Sequence, residues 1–114
     1  VVFVIAAAGP TFAVRAEVHG DDIRVVVAGE VDLSSAPALR AALLSAVDDA
    51  ASVVAIDLCN VSYLDSTGVH CLFDAATAAN GKAKTLRVEH APAHVARVLR
   101  ISGLADVMSI ETDD

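Results

Sequence analysis

Apolar residues recur with two different periods, and the two periods alternate along the chain. Residues 11–18 (TFAVRAEV) alternate apolar and polar, which is the period of a half-buried strand. Residues 23–28 (IRVVVA) form a second β-branched run. His19-Gly20-Asp21-Asp22 between them reads as a turn, so the two runs are expected to pair as a hairpin that Gly29-Glu30-Val31-Asp32 ends. The period then changes. Leu39, Ala42, Leu43, Ala46, Val47 and Ala50 recur at helical spacing, one apolar stripe on a helix of about four turns. Ser34-Ser35-Ala36-Pro37 before it supplies a hydroxyl N-cap candidate and a first-turn proline.

Residues 52–58 (SVVAIDL) are nearly all apolar, which predicts a central strand covered on both faces. A second helix is expected to open at Asp65-Ser66-Thr67-Gly68 and to close at Asn80-Gly81, with Val69, Leu72, Phe73 and Ala76 facing the sheet. Residues 85–89 (TLRVE) read as a strand. Pro92 starts a third helix with Val95, Val98 and Leu99 inward, Gly103 ends it, and residues 107–111 can return as a short last strand. The order β-β-α-β-α-β-α-(β) predicts a single α/β domain. Its sheet is mixed but mostly parallel, with an N-terminal hairpin, right-handed crossovers and about three helices on one face. Residues 11–114 are expected to form this domain and residues 1–10 an extra strand or a tail; the chain does not begin with Met, so its start stays open.

Composition narrows the function. A chain of 114 residues is one domain. Eight basic against 15 acidic side chains leave a net charge of -7, which argues against a nucleic-acid partner. The apolar content is 23 Ala and 18 Val against 3 Phe, 1 Tyr and no Trp. Such side chains suit closely packed layers and make poor aromatic cages or large ligand pockets, so the function is expected on the surface. Two cysteines do not make a disulfide scaffold. The apolar run 1–8 lacks a basic leader and is far shorter than a spanning helix, so no membrane partner is expected and the cytoplasm is the default.

Catalytic chemistry finds little to work with. His19, His70, His90 and His94 lie in four separate contexts, so no metal site is expected. No phosphate-binding loop is present, and no set of nucleophile, base and orienter can be assembled, so neither a cofactor nor an enzyme is expected. What remains is the stretch 57–69 (DLCNVSYLDSTGV), in which a buried strand runs into a loop and then a helix start. Asp65 or Ser66 can cap that helix. The same N-terminus, with its free N–H groups and positive dipole end, could hold a phosphate carried by Ser66.

The stretch DLCNVSYLDSTGVHCL resembles the signature of the STAS domain found in bacterial anti-sigma factor antagonists. Gly29-Glu30-Val31-Asp32 is similar to the family's step before its first helix, and residues 92–104 (PAHVARVLRISGL) to its third helix. The resemblance implies a working cycle. The unphosphorylated domain binds an anti-sigma factor that is also a serine kinase, and a sigma factor is freed. Phosphorylation of the serine after the aspartate, Ser66 here, ends the complex, and a serine phosphatase restores it. Thr67 is the second candidate acceptor. Asp32, Asp65 and Gly68 match positions around the phosphorylated site. The alternative implied by the same family is a STAS scaffold subunit of a transporter or other signalling complex that is not phosphorylated.

The pattern departs at residue 70, where family members commonly carry a second small residue and this chain has His70. On a helical projection His70, Cys71 and Asp74 point outward beside Ser66, so the expected partner surface is Val69, His70, Cys71 and Asp74. An outward Cys71, with Cys59 at the strand end, also raises the possibility of thiol oxidation tuning that surface.

Overall fold

The computed structural model describes residues 2–7, 10–49 and 51–112. Within them the order is β1 (Val2–Ala7), β2 (Phe12–His19), β3 (Asp22–Val31), α1 (Ala36–Asp48), β4 (Val53–Leu64), α2 (Ser66–Gly81), β5 (Thr85–Ala91), α3 (Ala93–Ser102), one 3-10 turn (Leu104–Asp106) and β6 (Ser109–Thr112). The sheet runs β1-β2-β3-β4-β5-β6, so chain order is spatial order. The pairings β1–β2 and β2–β3 are antiparallel and the remaining three parallel. The hairpin and the mostly parallel sheet are therefore present, and each helix links two neighbouring parallel strands.

Two strands are longer than local patterning predicts. β3 continues through Gly29-Glu30 to Val31, and β4 continues through the expected loop to Leu64. The reason is pairing: Ala28, Gly29, Glu30 and Val31 lie against Asn60, Val61, Tyr63 and Leu64, with register shifts that absorb the extra residues. The second helix closes at Lys82 rather than at Asn80-Gly81, because the helix runs through Gly81.

One core forms on one face of the sheet. Alternate strand residues (Phe12 and Val14, Ile23 to Val27 by twos, Val54 to Leu58 by twos, Leu86 and Val88) join the buried faces of all three helices in a single cluster. On α1 the buried set is Ala36, Leu39, Ala42, Leu43, Ala46 and Val47, as its stripe predicts; Ala50, assigned to the same stripe, lies outside the described residues. On α3 the inward residues are Val95, Ala96 and Leu99, and Val98 is only half-buried.

Helices cover only one face of the central strand β4. Its second face looks away from the helices and is shielded by charged side chains. Ala55 lies in register between Arg24 of β3 and Arg87 of β5, whose stems cover it. Arg24 reaches Asp57 at 3.1 Å and Glu89 at 2.7 Å, and Arg87 reaches the other Glu89 oxygen at 2.7 Å. The Arg24–Glu89 approach is a charge contact rather than an aligned hydrogen bond.

Glu89 is only 6% exposed. Burial alone would raise its pKa, but the hydrogen bond from Arg87 and the charges of Arg24 and Arg87 outweigh it and hold the carboxyl below its ordinary 4.5. A depressed carboxyl contributes stability that is complete above 4.5 and is lost as pH falls through the lowered folded value. Glu89→Gln should therefore cost about 1–3 kcal/mol at neutral pH, because two guanidinium groups lose their shared partner. Urea denaturation should show the gap between wild type and variant closing in acid. A gap independent of pH would show that the carboxylate charge contributes nothing.

Candidate functional site

β3 and β4 end side by side at Val31 and Leu64, and the Asp65 amide donates to the Val31 carbonyl at 3.1 Å. The chain turns there into α2. Asp65 has an extended backbone, and its carboxylate accepts from the amides of Thr67 (2.9 Å) and Gly68 (3.4 Å) and from the Thr67 hydroxyl. Two of the otherwise free first-turn amides are thus satisfied. Gly68 sets how close the turn comes to the sheet. A Cβ there would stand 2.5 Å from Leu64 Cδ1 and 2.6 Å from Val31 Cγ1. Any larger residue would have to push these two side chains aside for the helix to start this near the strand ends.

This pinning separates the two hydroxyls. Ser66 is the first residue of α2 and is exposed, and among the described residues its hydroxyl has no hydrogen-bond partner. The Thr67 side chain is half-buried and its hydroxyl is engaged by Asp65.

Asp32 lies in the neighbouring β3–α1 loop. Its carboxylate accepts from the Ser34 hydroxyl (2.8 Å) and from the amides of Ser34 (3.0 Å) and Ser35 (3.2 Å). These bonds, the Ser34 hydroxyl first and the Ser35 amide next, hold it below its ordinary value, so it stays ionised. Ser35 does not cap α1 as its position suggested. Its hydroxyl donates to the Glu30 carbonyl (2.9 Å) and accepts from the Asp32 amide (3.0 Å), which closes the loop on itself. Asp32, Leu33, Ser34 and Asp65 line one shallow cleft, and Leu33 is 75% exposed there. Ser66 faces a different space, an apolar groove of about 330 Å³ between α2 and α3 lined with Val69, His70, Phe73, Val98, Ile101 and Ser102.

The expected partner surface is partly redrawn. His70 and Asp74 are exposed, and Asp74 pairs with Arg40 of α1 at 3.3 Å. Val69 is 4% exposed and touches the outside only along the groove. The outward placement of Cys71 is overturned: it is 5% exposed, with its thiol 3.4 Å from the Ala36 carbonyl. The projection placed only the sheet beside α2, whereas α1 also packs there, and the buried arc widens to include Cys71 and Ala75. Burial, with the Asp74 carboxylate adding to it, pushes the Cys71 thiol up, away from the reactive thiolate. Cys59 is exposed, and both cysteines are free thiols. Phe73 is half-buried: it packs against the core and also lines the groove.

Sequence reasoning missed the α3 wall of that groove. A signal was present: Val98 and Ile101 are three apart and lie off the buried stripe of Val95 and Leu99, yet both are apolar. Leu33 carries no such signal. His94 at the start of α3 meets the Ser62 carbonyl at 3.1 Å, which ties α3 to the end of β4.

Comparison with known proteins agrees with this architecture. A family model described as "Mlab, STAS domain" matches residues 14–110. The chain belongs to the STAS domain family. As a STAS domain it is 34% identical over 90 residues to the anti-sigma-B factor antagonist of Bacillus subtilis, covering 79% of this chain and 82% of that one. It is 33% identical over 92 residues to the anti-sigma-B factor antagonist of Staphylococcus epidermidis, covering 81% and 85%. The crystal structure of an anti-sigma factor antagonist from Mycobacterium paratuberculosis superposes with a TM-score of 0.82 at 28% identity, over 92% of this chain and 90% of that one. Within the described part of this STAS domain, no helix is long and apolar enough to cross a membrane.

Proposed function

We propose that this STAS domain is an anti-sigma factor antagonist switched at Ser66. Its unphosphorylated form binds an anti-sigma factor that is also a serine kinase, so that a sigma factor is freed. Phosphorylation of Ser66 ends the complex, and a serine phosphatase restores it. The domain catalyses nothing itself.

The observation that carries the site is the contrast between Ser66, exposed and unpartnered at the first residue of α2, and Thr67, whose hydroxyl is tied to Asp65. The relatives named anti-sigma-B factor antagonist, alike over about four-fifths of both chains, support the partner class. A phosphate at this position adds about −1.5 to −2 charges at the positive end of the helix dipole. The fold therefore tolerates it, while the docking surface becomes more negative locally. Asp32 and Asp65, on the other side of the serine, add to the negative field a phosphorylated partner site would present. His70 and Asp74 are the exposed contacts on the same helix.

The test is labelling with the anti-sigma factor kinase and ATP. Wild type should take up one phosphate, Ser66→Ala should fall to background, and Thr67→Val should label like wild type. Undiminished labelling of Ser66→Ala would overturn the site. A complex that forms without labelling and is indifferent to Ser66→Glu would favour the unphosphorylated scaffold.

A further inference from the structure

We propose that the groove between α2 and α3 receives an acidic, amphipathic segment of a partner protein. Apolar side chains of that segment seat between Phe73, Val98 and Ile101, and its carboxylates face Arg97. The partner is the anti-sigma factor if the antagonist reading holds; the groove and its chemistry do not depend on that name.

Two independent observations point to this occupant. The first is apolar exposure. Ile101 is 79% exposed on the outer wall, and the groove floor offers Val69, Phe73 and Val98 in a chain with few large apolar side chains on its surface. From Ser66 to Phe73 the groove runs two turns of α2, roughly 10 Å, enough for two apolar residues of a helix spaced three or four apart.

The second is charge. The chain has eight Lys and Arg in all and a net charge of -7. Arg15, Arg24, Arg40, Lys82 and Arg87 pair with carboxylates, and Lys84 donates to the carbonyls of Val47 and Asp49. Among the described residues Arg97 and Arg100 alone have no such partner; both are exposed on α3, a helix with no acidic residue, and Arg97 is the one that flanks the groove wall. Arg97 stands one turn before Ile101 on the same strip. The one acid within α2 itself, Asp74, is turned to Arg40 of α1. Unspent positive charge beside an exposed apolar wall, on an otherwise acidic molecule, selects a segment that is apolar on one side and acidic at its edges.

The placement also explains the direction of the Ser66 switch. Ser66 lines the same groove, so a phosphate there meets the acidic segment as a like charge.

The probe is a synthetic amphipathic helix of about four turns, with leucine along one face and glutamate at its flanks; a lysine-flanked version is the control. In backbone-amide NMR titration the acidic peptide should shift Val69, His70, Phe73, Val98 and Ile101 saturably. The lysine version should bind at least about tenfold more weakly. Arg97→Glu should weaken the acidic peptide about tenfold and Arg100→Glu, on the far side of α3, should not, while Ile101→Asp should abolish the shifts. All three changes are at exposed positions, and unchanged spectra elsewhere verify folding. The proposal is overturned if the acidic peptide leaves these amides unmoved, if both peptides bind alike, or if only phosphatidylglycerol vesicles or raised concentrations of the protein itself perturb them. An anti-sigma factor that does not bind, alongside an acidic peptide that does, would sink the antagonist reading and leave the groove standing.

Discussion

Ser66→Glu is expected to weaken binding to the anti-sigma factor at least about a hundredfold, roughly 2.7 kcal/mol, without lowering the melting temperature. The two halves of that result come from one position. Ser66 is the first residue of α2 and is exposed, so a carboxylate there has room and lies at the positive end of the helix dipole. Thermal stability should stay level or rise by up to about 1 kcal/mol. The same carboxylate projects into the groove beside Val69 and Phe73, where a partner must exclude water. A charge without a counter-ion in a desolvated contact is costly, and Ser66→Ala, which adds none, should bind within a few-fold of wild type. Phosphoserine carries up to twice the charge, so the true modification should act more strongly than the mimic. Calorimetric titration gives the affinities and circular dichroism the melting curves. Binding of Ser66→Glu within threefold of wild type would refute the switch, and a large fall in its melting temperature would mean that the loss is one of folding.

Gly29→Ala should have the largest effect on stability, about 3–4 kcal/mol, a shift of roughly 15–20 °C in a domain of this size. Gly29 has φ +96°, a region L side chains rarely enter, and a Cβ there would stand 1.9 Å from the Thr11 carbonyl oxygen and 2.8 Å from its carbon. Neither contact can be relieved by a rotamer, because both atoms are backbone. The β2–β3 ladder must open at its Phe12–Gly29 end, and the Glu30 amide loses its 2.8 Å bond to Thr11. Gly20 is the control. It also has positive φ, +62°, but nothing lies within 4 Å of its Cβ position. Gly20→Ala should cost only the left-handed penalty of about 1–2 kcal/mol. Equal losses in the two variants would show that backbone conformation matters and the Thr11 contact does not. The functional consequence is direct: β3 carries Val31, which with Leu64 forms the wall against which Gly68 and the first turn of α2 rest.

Much of the candidate site was legible because its chemistry is local. An aspartate, two hydroxyls and a glycine in consecutive positions can be read as a capped helix start without knowing what surrounds them, and Asp65, Ser66, Thr67 and Gly68 do meet there. The same locality could not tell Ser66 from Thr67. The difference lies in a rotamer, the Thr67 hydroxyl folded back on Asp65, and in which of the two side chains the packed helix turns outward.

The sequence by itself determined the kind and order of the elements. A period of two or of 3.6 is a property of consecutive residues, and the alternation of the two leaves few topologies besides a hairpin followed by parallel crossovers. The tertiary structure alone decided what depends on neighbours distant in the chain. β3 and β4 outran their patterns because each supplies the other's hydrogen bonds. Cys71 turned inward because α1, and not only the sheet, packs on α2. The groove exists because α2 leans toward α1 and leaves its other flank open to α3, where Ile101 and Arg97 stand uncovered. Burial is a property of two surfaces, and a sequence pattern describes only one of them.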